Sequence, residues 1–554
     1  MENGKILCIF GSCHDRPWGA LALLDRNLGV DLPQPGKPNP VQKIWPESAI
    51  NLCGGWDGTA AVPTPYEGIF GFDNFAGLPI KYEDPFALDD NFFLVARTTD
   101  DPTDGEQTGI YLVDVFGNEI MLHTEAPGCF DPMPIRPRSR PFQRSITRDY
   151  ETANPTGRFY VQNVYEGTHM EGVQPGEIKY LRVVEAPKKL YWTYNVWGGQ
   201  GIQGPGMAWH DFYSKQIVGD VPVEADGSAY FEVPAEVFVY FQLLDQDKKM
   251  IQTMRTGTIV QSGETLGCIG CHDRRTDSAP LPQSSTYTTP LALLGPPRQP
   301  ESWYGPERRF NYLTEVQPVF DNNCMSCHDY TSPGGPAGGL NLAGDKTVMF
   351  NTSYMHLSRQ TATYPYIGRL TGAVGGDTSY FRQAKTWGSH NSPLIEALDD
   401  ATHADVVSLT TEERERLITW VDLNAPYYPV HSSAYPNNPA GRSPLTGSQL
   451  SQLTSLTGHV FHFNYRNNQI PLVSFDRPEL SPCLQGLSVG SQDYNSALAI
   501  IQQGAANLTA NPRADMLGHV PNATDQTRTA KYNQRKAIEN ANRDAIRNGA
   551  KNYD

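Results

Sequence analysis

Over the first 150 residues, short apolar runs alternate with Gly, Asp and Pro turns. Ala20–Leu24 runs into Asp25, Phe92–Ala96 into Arg97, and Ile110–Val113 into Asp114, with Gly117-Asn118 supplying hairpin chemistry beyond. Such runs read as strands. Strand pairs that end in Asp before a turn suggest propeller blades of about 40–50 residues. About three blades fit, fewer than the roughly four that a closed propeller needs. Residues 1–150 are therefore predicted to form a partial β-propeller, with the Pro-rich stretch Pro132–Pro141 as an extended linker.

The pattern stays β through residues 151–300. Lys179–Val184 alternates, and Val221–Glu224, Ala229–Val233 and Val237–Leu244 follow as successive strands of a small sandwich or barrel. Residues 301–430 change character. Thr314–Asn323 reads as a short helix with Val316 and Phe320 on one side. Ser392-Pro393 is an N-cap followed by Pro at the first helical position. Thr410–Glu413 is a capping box opening a helix with Leu417, Ile418 and Val421, which Pro426 ends. Residues 431–554 read as a loop and helical tail whose charged end, Lys531–Lys551, lies on the surface. The fold class is thus multidomain: a mainly β N-terminal part, then an α-helical domain.

Composition narrows the partners. The 554 residues carry 44 Lys+Arg against 60 Asp+Glu, a formal charge of −16, which repels phosphate backbones and disfavours nucleic acid. No run reaches the about 18–20 apolar residues that span a bilayer. The apolar stretch at the start, Ile6–Phe10, is too short for a secretory signal.

Nine cysteines are too sparse for a disulfide framework. Four of them fall into two C-x-x-C-H pentapeptides, Cys268–His272 and Cys324–His328, the attachment signature of c-type haem. Two thiols three positions apart reach the two vinyl groups of one porphyrin, and the next residue places its imidazole at the iron. A thioredoxin-type dithiol or a four-cysteine zinc site would not require His after both pairs. Two c-type haems are therefore expected. Cys8-x4-Cys13-His14 is a looser, third candidate, better read as a strand and its turn. Cys53, Cys129 and Cys483 read as buried small hydrophobes.

The stretch Val221–Ala229 (VPVEADGSA), with Gly263–His272 (GETLGCIGCH), resembles the middle domain of hydrazine synthase alpha-subunit-like proteins. Gly109–Asn118 resembles the preceding blade, Leu423–Tyr428 the second haem domain and Arg513–Met516 the tail of that family. The resemblance implies a propeller, a middle β domain with one c haem and a C-terminal cytochrome c-like domain with a bis-histidine c haem. The archetype makes hydrazine from nitric oxide and ammonium, in complex with further subunits. There, the first motif's histidine binds zinc and a tyrosine soon after it ligates iron. Here Asp273–Asp277 follows with no nearby tyrosine, so His272 is expected at the iron, and zinc there stays open.

For the second haem, His328 is the expected proximal ligand and His403, ahead of the capped helix, the sixth; His390, His356, His431, Met349 and Met355 are rivals. His14-Asp15 and His210-Asp211 are candidate acid–base pairs for the first haem, and His459-x-x-His462 a weaker metal pair. Two functions follow: a redox enzyme subunit acting on a small nitrogen compound at the first haem, or an electron-transfer protein that binds a partner. Either belongs in a hetero-oligomer or beside a soluble cytochrome. Haem attachment places the chain in the periplasm or another exported compartment. The missing signal leads us to expect a truncated sequence, or remaining blades supplied by another chain.

Overall fold

A computed structural model describes residues 1, 3–11, 18–28, 40–46, 80–99, 107–137, 147–148, 155–167, 169–190, 214–254, 257–271, 289–358, 366–368, 383–461 and 471–550. The chain divides into two compact units, Met1–Gln143 and Arg144–Asp554.

The first unit is a seven-stranded antiparallel sheet: β1 (Ile6–Gly11), β2 (Gly19–Leu24), β3 (Val41–Trp45), β4 (Tyr82–Ala87), β5 (Phe92–Thr98), β6 (Thr108–Asp114) and β7 (Glu119–Thr124). The apolar runs seen in the sequence are β2, β5 and β6. β4 to β7 pair in chain order as a meander, joined to β2 through the single pairing Gly19↔Tyr82. Asp114 fixes the β6–β7 turn by accepting from the backbone N–H groups of Phe116 and Asn118, each at 2.9 Å. Among the described residues these strands make one open sheet and do not close into a ring. β7 is its edge, with Ile120, Met121 and Leu122 largely exposed.

The second unit begins with two sheets. One orders β10 (Gln216–Pro222), β9 (Tyr180–Glu185), β12 (Val239–Leu244) and β13 (Met250–Thr253). The other orders β11 (Ala229–Pro234), β8 (Thr156–Val161) and β14 (Thr265–Cys268), with β14 parallel to β8. Their inner faces share a core in which the Phe241 ring stands 5.2 Å from both Phe159 and Phe231.

Helices follow: α1 (Tyr312–Glu315), α2 (Gln317–Asn323), α3 (Thr352–Leu357), α4 (Pro393–Ala397), α5 (Thr411–Asp422), α6 (Gly447–Thr457), α7 (Gln492–Ala510) and α8 (Ala523–Arg547). The helix read over Thr314–Asn323 is broken at Val316, because Pro318 donates no backbone bond and restricts Gln317 before it. The Thr410–Glu413 capping box is present at the start of α5. The front of the tail is no mere loop: Leu450, Leu453, Val473, Phe475, Cys483 and Ile501 share one core with α2, α3 and α5. Arg513, wholly buried, locks it there. It pairs with Asp515 at 2.8 Å and donates to the Thr347 carbonyl at 2.8 Å. Only α8 lies outside, with Asp525 its one buried residue.

The β part and the helical part are joined at β9. Leu181 and Val183 point into the sandwich, while Val184 belongs to the helical core. Between them Arg182, with no solvent exposure, donates to Asp220 at 2.7 and 2.9 Å, to Glu415 at 2.8 Å and to Thr419 at 2.7 Å. The last two residues are on α5. At the far end of α5, the buried Asp422 carboxylate accepts from the Ser389 N–H at 2.7 Å, the Ser389 hydroxyl at 2.8 Å and the Met250 N–H at 3.0 Å.

Replacing Arg182 by Met leaves Glu415 and Asp220 short of their buried cation. Stability should fall by about 3–5 kcal/mol in urea unfolding. Burial outweighs the hydrogen bonds on Asp422 and lifts its carboxyl to about 6, above the ordinary 3.8. A raised folded-state value means that ionisation opposes folding. Stability should therefore drop, by an amount on the order of 2–3 kcal/mol, as pH rises from the ordinary carboxylate value through the raised one. Asp422→Asn should lack this component; parallel wild-type and variant curves of unfolding midpoint against pH would contradict it.

Candidate functional site

The second C-x-x-C-H motif continues α2. Cys324 takes the C-cap position and donates to the Phe320 carbonyl, and the backbone N–H groups of Cys327 and His328 both donate to the Cys324 carbonyl, at 3.2 and 3.0 Å. This helical turn puts positions i, i+3 and i+4, the two thiols and the imidazole, on one side. The following loop folds back: Ala337 N–H donates to Cys327 and Leu342 N–H to His328, each at 2.8 Å. Arg477 from the tail clamps that loop, donating to both carboxylate oxygens of Asp329, at 2.6 and 3.0 Å, and also to Asp345. The guanidinium holds the Asp329 carboxyl far below the usual carboxylate range.

His328 Nδ1 sits 2.9 Å from the Leu340 carbonyl oxygen. That contact draws the proton of a neutral ring to Nδ1 and leaves Nε2 as a lone-pair donor. His403 is arranged in the same way. Its Nδ1 is 3.2 Å from Asp400 Oδ1, within a turn that Asp400 builds by accepting from the backbone N–H groups of Thr402 and His403, at 2.8 and 3.1 Å. The two rings face each other, with centroids 6.3 Å apart and planes inclined by 13°. Two imidazoles on one metal atom, with nitrogen–metal bonds of about 2.0–2.1 Å, place their centroids about 6.2 Å apart. Both rings thus keep Nε2 available at the spacing that a shared iron requires. Cys324 is partly buried and Cys327 exposed beside them.

The rivals have other surroundings. His390 Nε2 lies 3.1 Å from Asp245. His356 and His431 are buried, the latter with its basicity pushed well below the ordinary value by desolvation. Met349 is in the core, and Met355 Sδ accepts from Thr347 Oγ1 at 3.1 Å.

In the first motif, Cys268 ends β14, and the next turn is held on the end of β8: Gln162 N–H donates to Cys268 at 2.9 Å and Asn163 N–H to Ile269 at 3.0 Å. Gly270 lies so close to Glu166 that a Cβ there would stand 2.2 Å from its carbonyl oxygen, so the turn has no room for a side chain. Cys268 and Cys271 pack against the sandwich core.

Of these features, the first motif sits where a known family matches. Residues 176–273 match the profile of the hydrazine synthase alpha subunit middle domain. Over that span the chain is similar to the hydrazine synthase alpha subunit. Hydrazine synthase subunit alpha of Kuenenia stuttgartiensis is 21% identical over 324 residues, which cover 47% of this chain and 40% of that protein. The chain therefore matches well under half the length of that curated relative. The solved Kuenenia stuttgartiensis hydrazine synthase aligns at 17% identity and a TM-score of 0.49, over 74% of this chain and 59% of that one.

The alpha-subunit middle domain contains the whole first motif; His328 and His403 lie beyond its matched span. His14, Asp15, His210, Asp211 and His272, with Cys13, Cys53, His462 and Asp273–Asp277, lie outside the described residues. Cys129, read as a buried hydrophobe, is half-buried, whereas Cys483 is fully buried as expected. Tyr427 and Tyr428 pack in the core, with Tyr427 donating to Asp515 at 2.8 Å. Sequence reasoning missed Asp400, Leu340 and Arg477. Asp400 alone left a trace, in the Asp-x-Thr-His order that makes its turn.

Proposed function

We propose that this alpha-subunit-like chain is a dihaem c-type cytochrome and the redox subunit of a hydrazine-synthase-type assembly. It acts on a small nitrogen compound at the first haem and passes electrons through the second. The observation that carries the reading is the pair His328 and His403, with near-parallel rings 6.3 Å apart and each Nδ1 engaged, which leaves each Nε2 for a metal. Haem supplies one-electron chemistry and a site for a small ligand.

The chain's own residues do the rest. Cys324 and Cys327 would tether one porphyrin, and His328 and His403 would ligate its iron. The Leu340 carbonyl and the Asp400 carboxylate would orient the two imidazoles. Cys268 and Cys271 tether the other porphyrin on the rigid end of the sandwich, with His272 as its iron ligand. His14-Asp15 and His210-Asp211 are the candidate groups for moving protons there. Zinc beside the first haem is not needed for this reading. The β4–β7 meander supports a propeller blade as the N-terminal part, and the helical core around the second motif supports a cytochrome c-like domain. The acidic chain works in an exported compartment such as the periplasm, with other redox subunits or a soluble cytochrome.

Pyridine haemochrome analysis of the matured chain should give two covalent haems, and nitric oxide or hydroxylamine should shift a high-spin component. Two low-spin haems indifferent to both would favour pure electron transfer, which the lack of a tyrosine in Asp273–Asp277 also suits. His403→Ala should turn the second haem from low to high spin while leaving two haems bound; an unchanged spectrum would remove His403 from the iron.

A further inference from the structure

A second cluster of ligand-type side chains lies in the first unit, in a segment to which the haem reading gives no role. His123, Glu125 and Cys129 each bring one donor atom to a common point, all within 4.8 Å of one another. His123 Nε2 and Glu125 Oε2 are 3.6 Å apart. Two ligands of a tetrahedral metal with bonds of about 2.0–2.3 Å lie roughly 3.5 Å apart, so this pair already has ligand spacing.

The scaffold explains the convergence. His123 and Glu125 are two positions apart on extended backbone, so their side chains leave on the same side. Ile110 of β6 pairs with His123 and Tyr111 pairs with Met121, so Leu122 is an extra residue that bulges the edge strand. Bulges re-aim the side chains next to them. The chain then turns through Pro127 and Gly128. Cys129 N–H donates to the Thr108 carbonyl at 3.0 Å, which brings the thiol back to the same end of β6. Gly128 has φ +140°, and a Cβ there would stand 2.7 Å from Thr108 Oγ1, so the return path is set by the absence of a side chain. One strand thus holds both arms of the cluster.

We propose that His123, Glu125 and Cys129 form a zinc-class divalent metal site at the edge of the first sheet. The donor set selects the ion. A thiolate and an imidazole suit zinc and its neighbours, whereas calcium and magnesium require oxygen ligands throughout. Thiolate plus carboxylate carry two negative charges against the two positive charges of the ion. His123 and Glu125 are exposed, so the fourth position faces solvent and takes water or a ligand from a docking partner. The metal staples the 124–129 turn to the strand before it.

The test uses the haem-loaded full chain, so that the four motif cysteines are already blocked. After removal of metal with EDTA and dialysis against buffered ZnCl2, zinc is counted by mass spectrometry. Wild type and Cys483→Ser should retain one equivalent more than Cys129→Ser or His123→Ala. His123 is exposed, so its replacement leaves the sheet intact. Peptide mapping after iodoacetamide treatment should show Cys129 alkylated at least ~10-fold more slowly with ZnCl2 than with MgCl2, because a metal-bound thiolate is a poor nucleophile. Equal zinc content in wild type and both variants, or a Cys129 alkylation rate indifferent to zinc, would overturn the site.

Discussion

A guanidinium buried in the middle of a strand sets the architecture of the larger unit. Arg182 has no water to turn to, so every one of its charged neighbours must stay in place. Asp220 comes from the adjacent strand and Glu415 from α5, so the one guanidinium bonds sheet and helix together. Trp303 Nε1 donates to the same Glu415 oxygen as Arg182, at 3.2 Å, and the Tyr304 hydroxyl fixes the remaining oxygen, at 2.8 Å. The apolar residues on either side of Arg182 supply the burial energy. The arginine supplies the registration, since a one-residue slip of β9 would send it into the sandwich.

The imidazole pair His328 and His403 depends on that registration. His403 lies in the turn between α4 and α5, and α5 is the helix that Arg182 and the Asp422 contacts hold at both ends. His328 is placed from the other side by α2 and by the loop that Arg477 clamps. Two rings held at the spacing of a shared metal therefore record the agreement of elements far apart in sequence. Each is held by a bond that engages only Nδ1. The arrangement costs the protein no distortion of the ring itself and leaves the chemistry to the outward nitrogen.

Much of this could be read in the residues. The two pentapeptides, the β-to-α change of pattern and the capping box at Thr410 follow from local rules of spacing and capping, whereas the choice of His403 as the partner of His328 rests on the family resemblance. What could not be read is where local rules yield to tertiary contact. Lys179–Val184 alternates like a half-exposed strand, yet Arg182 is as buried as its apolar neighbours because helices cover the second face. The tail looks polar and loop-rich because its core residues, such as Leu450, Phe475 and Ile501, are widely spaced and meet only through the fold. Leu340 acts through its carbonyl, for which the sequence has no letter. His123, Glu125 and Cys129 fell in a stretch whose strand pattern explained it well enough to hide the donor atoms.

Both pentapeptides belong to the same compact unit, one at the rim of the sandwich and the other in the helical core, and β9 is a wall common to the two. Among the described residues β9 is packed into core on both sides, so a binding partner would alter traffic between groups held there by changing driving force or access at either end.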